Sequence, residues 1–357
     1  MSRFLDDKLA KLVPYTPGEQ PKNMSELIKL NTNENPYPPS PKVIAAINGA
    51  EVSGLNLYSD PDCTALIESI ARYHGLESFN VFPGNGSDEV LAFCFYGLCQ
   101  NGAAFPDITY GFYKVYAQMF GVNAEIIPLK DDFTIDVADY ANAKGTVFIA
   151  NPNAPTSIFL PVAEIETLLR QSPDRLVVVD EAYVEFGGES AQCLLGEYEN
   201  LLIIHTFSKS HSLAGARLGY ALGVPELIAD LNTLKFSFNP YNINRLSITA
   251  GAAAMDDLAY LDETRRKIIE TREFVAGELR NLGFNIPESR ANFLFVGGHP
   301  KISGERYFST LRENGILVRH FSEPRIKEYV RMSIGTREQM ETTVALTKKI
   351  LEAENDS

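Results

Sequence analysis

Short apolar runs alternate along this chain with stretches whose apolar residues recur at helical spacing, as strands buried on both faces do when helices connect them. Residues 201–204 (Leu-Leu-Ile-Ile) and 176–179 (Leu-Val-Val-Val) have the length and β-branched content of buried strands, and 218–222 is a further short apolar run. A short strand from Val81 leads into a glycine-rich turn and a helix start at Ser87. Spacing predicts helices over 64–73 and 161–170, the second with proline in its first turn, and another ending near Phe120 before the run 124–128. From 225 to about 283 the pattern is helical, including a long charged, periodic stretch. Beyond it, strands at 292–296, 316–321 and 329–334 alternate with a helix over 305–313 and a last helix. Residues 1–40 are rich in proline and asparagine, which favours an ordered arm over a helix.

Composition narrows the class. A chain of 357 residues, 45% apolar and 22% charged, is an ordinary globular protein long enough for two subdomains. A formal charge of −14 argues against nucleic acid or an anionic membrane as partner, but not against a local basic pocket for a small anion. Cys63, Cys94, Cys99 and Cys193 lack the spacing of a zinc site or a disulfide framework, so no metal is expected, and reduced thiols in a cytoplasmic protein are. The N-terminal residues lack a signal peptide's apolar core, and no run approaches membrane-spanning length.

Three strand ends carry chemistry. After 201–204 the chain turns polar at Thr206, Ser208 and Lys209, then reads Ala214-Gly-Ala-Arg217. Most lysines are surface residues. A lysine stranded between hydroxyls just past a buried strand is poorly placed for that, and burial would lower its pKa and free the amine as a nucleophile. Thr206, Ser208 and Arg217 are donors of the type that grips a phosphate. An amine for a carbonyl and donors for an anion are the needs of pyridoxal phosphate. The run at 176–179 ends in Asp180 and Glu181. A carboxylate there commonly caps a helix or marks a turn. Outside the carboxyl end of a strand in an open α/β sheet it can instead pair with a protonated pyridine nitrogen. Tyr183, three residues on, could reach the ring's phenolic oxygen. In Val81-Phe-Pro-Gly-Asn-Gly-Ser-Asp-Glu89, Gly84 and Gly86 let the backbone bend, and the helix start presents unpaired N–H groups. That is a usable anion cup, with Gly86, Ser87 and Asp88 as its members.

Asp180-Glu-Ala-Tyr183, Thr206-Phe-Ser-Lys209 and Ala214-Gly-Ala-Arg217-Leu-Gly together resemble the fold type I aminotransferases, and within them the branch that works on histidinol phosphate. The resemblance runs from about Val13 to the last helix. It implies an α/β fold, a mostly parallel central sheet in a three-layer sandwich over 41–255, and a smaller α+β domain over 256–357 joined by the arm 1–40. It implies Lys209 as the Schiff-base lysine and general acid/base, Asp180 on the ring nitrogen, Tyr183 on the phenolic oxygen and Tyr110 stacked on the ring. Tyr58 would reach the cofactor phosphate of the neighbouring subunit, making the protein a homodimer. Tyr15 and Asn33 would line the substrate pocket, and Arg331 with Arg319 beside it would bind the substrate's anionic tail, a task that suits a planar guanidinium. The implied substrates are L-histidinol phosphate, a phosphorylated amine, and the 2-oxo acid 2-oxoglutarate. An aromatic or broad-range aminotransferase, or a threonine-phosphate decarboxylase, would use the same arginines. A regulator that binds the cofactor without turnover would share the fold.

One stretch departs from the pattern. Where these relatives usually have Asn-Pro-Thr-Gly, residues 154–157 read Ala-Pro-Thr-Ser. An alanine at 154 cannot donate to the phenolic oxygen as the asparagine does. Asn153, one residue earlier, is the nearest candidate for a substitute, beside Tyr183.

Overall fold

The computed structural model describes residues 27–355 together with residues 5, 9 and 11–20; the rest of the arm expected over 1–40 lies outside the described residues. The arm contributes a short strand, β1 (Ile28–Lys29). A central sheet is built from β2 (Val81–Gly84), β3 (Ala103–Pro106), β4 (Ala124–Ile127), β5 (Thr146–Ala150), β6 (Val177–Asp180), β7 (Leu201–Thr206) and β8 (Gly219–Gly223). The C-terminal part adds β9 (Phe293–Gly297), β10 (Ile316–Leu317), β11 (Arg319–His320) and β12 (Tyr329–Ser333).

The central sheet runs in the order β2-β8-β7-β6-β5-β3-β4. Strands β4, β3, β5, β6 and β7 are parallel, while β8 is antiparallel to both β7 and β2. Alternation along the inner strands buries both faces, while the edge strand β4 leaves Glu125 and Ile126 exposed. Leu201, Ile203, Val177 and Val179 share a core with Leu66 and Ile70 of helix Thr64–His74 and with Ile165 and Leu168 of helix Val162–Gln171. Leu202, Ile204, Val178 and Phe148 share the opposite core with Val90 and Phe95 of helix Ser87–Gly97 and with Tyr113 of helix Phe112–Phe120. A sheet of period-two side chains between two helical layers is the three-layer sandwich, and double burial is why its strands read as unbroken apolar runs.

A second core joins Ile268, Val275 and Leu279 of the long helix Leu258–Asn281 to Phe293, Leu294, Val330 and Met332. Over it lies an antiparallel sheet ordered β11-β12-β9, and β1 of the arm pairs in parallel with β10. Both ends of the chain therefore build this smaller α+β unit. The run at 316–321, expected as one strand, is two pieces: Ile316–Leu317 pairs with the arm and Arg319–His320 with β12, so the chain changes sheets at Val318. The helical stretch at 225–283 is likewise three helices, Pro225–Phe238, Arg245–Met255 and Leu258–Asn281, the first ending just before Pro240. None of the described helices is long and apolar enough to cross a membrane.

The parallel strands end at one edge, and β8 begins there. Gly84, Asp180, Thr206 and Gly219 thus line the edge where α/β sheets bind ligands. Glycine at 219 is a matter of space, because a Cβ there would sit 2.2 Å from the backbone nitrogen of Ser87. Gly219→Ala must push β8 away from the glycine turn. It should lower the unfolding free energy by about 1–3 kcal/mol in urea titrations and weaken anion binding at the turn. Gly196→Ala, with open space around the added methyl, should do neither.

Candidate active site

At this edge the side chains singled out from the sequence converge. A cavity of about 290 Å³ is lined by Ser87, Asp88, Tyr110, Ala154, Asp180, Tyr183, Thr206, Ser208, Lys209 and Arg217, with Thr32 and Glu34 from the arm. Lys209 lies just past β7, its amine 3.3 Å from the Thr32 carbonyl oxygen and 5.7 Å from the centre of the Tyr183 ring. Burial, with the Arg331 guanidinium nearby, lowers its pKa to about 8, so much of the amine is neutral at mildly alkaline pH. Asn35 donates to the carbonyls of Lys209 (3.0 Å) and Ser210 (3.2 Å), fastening the turn to the arm.

The two carboxylates that close β6 part company. Glu181 accepts from the Ser190 hydroxyl (2.6 Å) and the Ala191 N–H (2.7 Å) and does not line the cavity, whereas Asp180 does. Asp180 Oδ2 accepts from the Tyr113 hydroxyl at 3.0 Å, and its Oδ1 is buried with no partner. Burial pushes the Asp180 carboxyl up to about 6, against the Tyr113 hydroxyl, which favours the charged form. A buried carboxylate oxygen without a partner, on a residue that lines the cavity, is complementary to a cationic donor.

The anion end is a turn and a guanidinium. Gly86 has φ +82, and a Cβ on it would meet Arg217 Nη2 at 2.8 Å, so glycine serves both the turn and the close approach. Helix Ser87–Gly97 starts there without a side-chain cap, leaving backbone N–H groups for an anion. Arg217 donates to Asp88 (3.0 Å), with Nη1 3.5 Å from Ser208 Oγ. The Asp88 carboxylate holds that arginine and accepts from the Tyr110 hydroxyl (2.6 Å), so its N–H is the part left for an anion. Thr206 shapes the turn, donating to the Leu218 carbonyl (3.3 Å) and accepting from the Ser208 N–H (3.1 Å).

A second chamber, about 320 Å³, shares Tyr110 and Ala154 with the first and is lined by Tyr15, Arg319 and Arg331. Arg319 and Arg331 are cross-strand partners on β11 and β12, so both side chains leave the sheet on one face. Arg331 donates to the Asn31 carbonyl (3.0 Å) and Arg319 to the Thr16 carbonyl (3.1 Å), while Arg331 Nε is buried without a partner. Burial lowers the Arg331 pKa and the like charge of Arg319 adds to it; an anion between the two would reverse both effects. The Tyr15 ring packs on Phe112 at 4.4 Å between centroids.

Two expected residues lie elsewhere, and a third, Tyr58, is expected at the neighbouring subunit's site. Asn153 donates to the Ile108 carbonyl (3.0 Å) and Thr156 Oγ1 (2.9 Å) and accepts from Thr109 (2.9 Å). With its amide committed within the loop, and lining neither chamber, it cannot stand in for an asparagine at 154. Asn33 is buried behind Tyr183, donating to its hydroxyl at 3.0 Å, and does not line the substrate chamber. Tyr58 is 78% exposed, stacked on Tyr241, and is not part of its own chain's cavity. Sequence reasoning missed Tyr113, which falls one helical turn after Tyr110. It also missed Thr32, whose main-chain carbonyl accepts from the Lys209 amine, and the bond from the Asn35 side chain to the Lys209 carbonyl.

The orphaned Asp180 oxygen, the desolvated Lys209 amine and the glycine cup with Arg217 match the ring nitrogen, aldehyde and phosphate of pyridoxal phosphate. Fold and site together define a fold type I pyridoxal-phosphate enzyme. Residues 25–346 match the family of class I and II aminotransferases, and the chain belongs to that family. The histidinol-phosphate aminotransferase of Clostridium acetobutylicum is 50% identical over 342 residues, 95% of this chain and 97% of the relative. That of Brachyspira hyodysenteriae is 48% identical over 354 residues, 98% and 99% of the two chains. The solved histidinol-phosphate aminotransferase from Sinorhizobium meliloti, in complex with pyridoxal-5'-phosphate, shares the fold with a TM-score of 0.86 over 99% of each chain, at 22% identity.

Asp180 also ties the stability of the cofactor-free protein to pH. Its folded-state pKa of about 6 stands above the ordinary 3.8. Its contribution is therefore complete below the ordinary value and lost as pH rises through about 6. Asp180→Asn should raise the unfolding free energy of the cofactor-free protein by about 1–3 kcal/mol near pH 8 and by much less near pH 4, as read in denaturant titrations at both.

Proposed function

We propose that the protein transfers the amino group of L-histidinol phosphate to 2-oxoglutarate, giving imidazole acetol phosphate and L-glutamate, with pyridoxal phosphate held at the sheet edge. The observation that carries this reading is the chamber of paired arginines opening onto the Lys209 cavity past Tyr110 and Ala154. A reacting amine in one and a doubly charged anion in the other are the two ends of one small molecule. Identity near 50% over almost the full length of the named relatives supports the same substrates.

Bound pyridoxal phosphate supplies the carbonyl that takes the amine and a ring that delocalises the electrons of the broken C–H bond. Lys209 is the residue whose amine would hold it. Its Nζ, whose pKa burial lowers to about 8, would take the proton from the substrate carbon and return it as general acid. Asp180 would keep the ring nitrogen protonated, Tyr183 would donate to the phenolic oxygen, and Tyr110 would cover the ring face. Gly86, Ser87, Asp88, Thr206, Ser208 and Arg217 hold the phosphate. Tyr15, Arg319 and Arg331 take the substrate phosphate and, in the other half-reaction, the distal carboxylate of 2-oxoglutarate.

We read the protein as a homodimer. Leu55, Leu57, Tyr58 and Tyr241 expose large apolar side chains around one aromatic stack, the mark of an interaction surface; a second copy there would bring Tyr58 to the partner's phosphate cup. Unpaired cysteines fit a cytoplasmic setting.

Lys209→Ala should lower turnover by about 10³-fold or more in a coupled glutamate assay, with cofactor still binding non-covalently. Arg331→Gln should raise KM for histidinol phosphate about 10- to 100-fold, with a smaller change in kcat. Titrating the visible absorption of the loaded enzyme with histidinol phosphate, phenylalanine and threonine phosphate decides the substrate. A response first to histidinol phosphate supports it; a response first to either comparator discards it and leaves the cofactor chemistry standing.

A further inference from the structure

Ala154 removes a donor from the cavity, and Asn153 is engaged elsewhere, yet the arm supplies a remedy. Asn33 is 1% exposed and sits in the left-handed region at φ +55, which asparagine accepts more readily than most residues. Its surroundings determine which end of its amide faces which neighbour. The backbone N–H of Asn33 donates to Ser333 Oγ at 2.8 Å. Having accepted that bond, the Ser333 hydroxyl gives its own proton to Asn33 Oδ1, 3.1 Å away. The carbonyl end is thereby assigned, and Nδ2 donates to Tyr183 Oη at 3.0 Å. Asn292 donates to the Asn33 main-chain carbonyl (3.1 Å) and pins the turn.

A phenol that accepts from Asn33 has one proton to give, and no acceptor for it is found among the described residues. Tyr183 lines the cavity with Ala154, Asp180 and Lys209, so the proton is free to point there. We propose that Asn33 is a positioning residue that holds the Tyr183 hydroxyl as an obligate donor to the phenolic oxygen of bound pyridoxal phosphate, securing the hydrogen bond that remains there when residue 154 cannot donate. This rests on the reading that places the cofactor ring in this cavity. Burial raises the Tyr183 pKa, so the hydroxyl keeps its proton at working pH.

The test is Asn33→Gly, which keeps a left-handed backbone and removes only the side chain. In the purified holoenzyme, the pH midpoint of the visible absorption should rise by about one unit, because a phenolic oxygen with less hydrogen bonding holds the adjacent protonated nitrogen more tightly. The dissociation constant for pyridoxal phosphate should rise about 3- to 10-fold. In a Tyr183→Phe background the same substitution should change neither value by more than about twofold. Adding Ala154→Asn to the Asn33→Gly protein should return both values toward the wild type. Should Asn33→Gly fail to fold, Ser333→Ala, which releases the amide to flip, should show the same upward shift in part. Native midpoints in the substituted proteins, or equal shifts with and without the Tyr183 hydroxyl, would overturn the proposal. Borohydride reduction and peptide mapping separate this failure from that of the underlying reading. Cofactor trapped away from Lys209 rejects the placement of the ring, whereas cofactor on Lys209 with native midpoints rejects the role of Asn33 alone.

Discussion

Three buried ionisable groups stand in two adjoining chambers of this protein without enough partners among themselves: the Asp180 carboxylate and the Lys209 amine in one, the Arg331 guanidinium in the other. Desolvation acts on all three, raising the acid and lowering the bases. Asp180 keeps one oxygen unpaired and Arg331 one nitrogen. Left to itself this arrangement is unfavourable, since buried charge without compensation destabilises a fold. A pyridinium, an aldehyde and a dianion supply what each group lacks. The strain at the site is the complement of its ligands.

The sheet makes that concentration of charge possible. Parallel strands deliver their carboxyl ends to one edge, and the antiparallel β8 returns to the same edge with Gly219 against the turn at Ser87. Period-two geometry then sorts neighbours by direction. Asp180 turns into the cavity while Glu181, next along the chain, is satisfied by Ser190 and Ala191. The arm completes the wall: Thr32 receives the Lys209 amine, Asn35 ties down the Lys209 carbonyl, and β1 anchors the arm to β10.

How much of this was readable from the sequence follows the same physics. Strands buried on both faces cannot alternate with polar residues, so 176–179 and 201–204 stood out. Lys209, Asp180 and Arg217 stand out as a set: a carboxylate past a strand commonly caps a helix, and only beside a lysine among hydroxyls and an arginine does it match a cofactor. Tyr113 did not, because its ring belongs to an aromatic core with Phe95 and Phe148 and only its hydroxyl serves Asp180. The run 316–321 carried no sign of its break, since two-residue strands are too short to show a period. Asn153 misled for a simpler reason: adjacency in sequence is not adjacency in space, and its amide is bound to Ile108 and Thr156 while Ala154 lines the cavity. Asn33 was placed near the site by its motif, but its contact with Tyr183, 150 positions away, is a tertiary fact.

Strand β12 bears on both chambers, lining one through Arg331 and reaching the other through Asn33 and Tyr183. Arg331 and Ser333 are two residues apart on it, so they emerge on the same face. Arg331 stands opposite Arg319 at the anion chamber, and Ser333 orients the Asn33 amide that meets Tyr183. A slip of one residue in the pairing of β12 with β9 would turn both side chains to the opposite face at once. The apolar Val330 and Met332, which alternate with them and pack in the core of the smaller unit, are what oppose such a slip. The packing of the small unit therefore sets the position of the anion-binding arginine and of the amide behind Tyr183 together. Neither can be adjusted by moving this strand without disturbing the other.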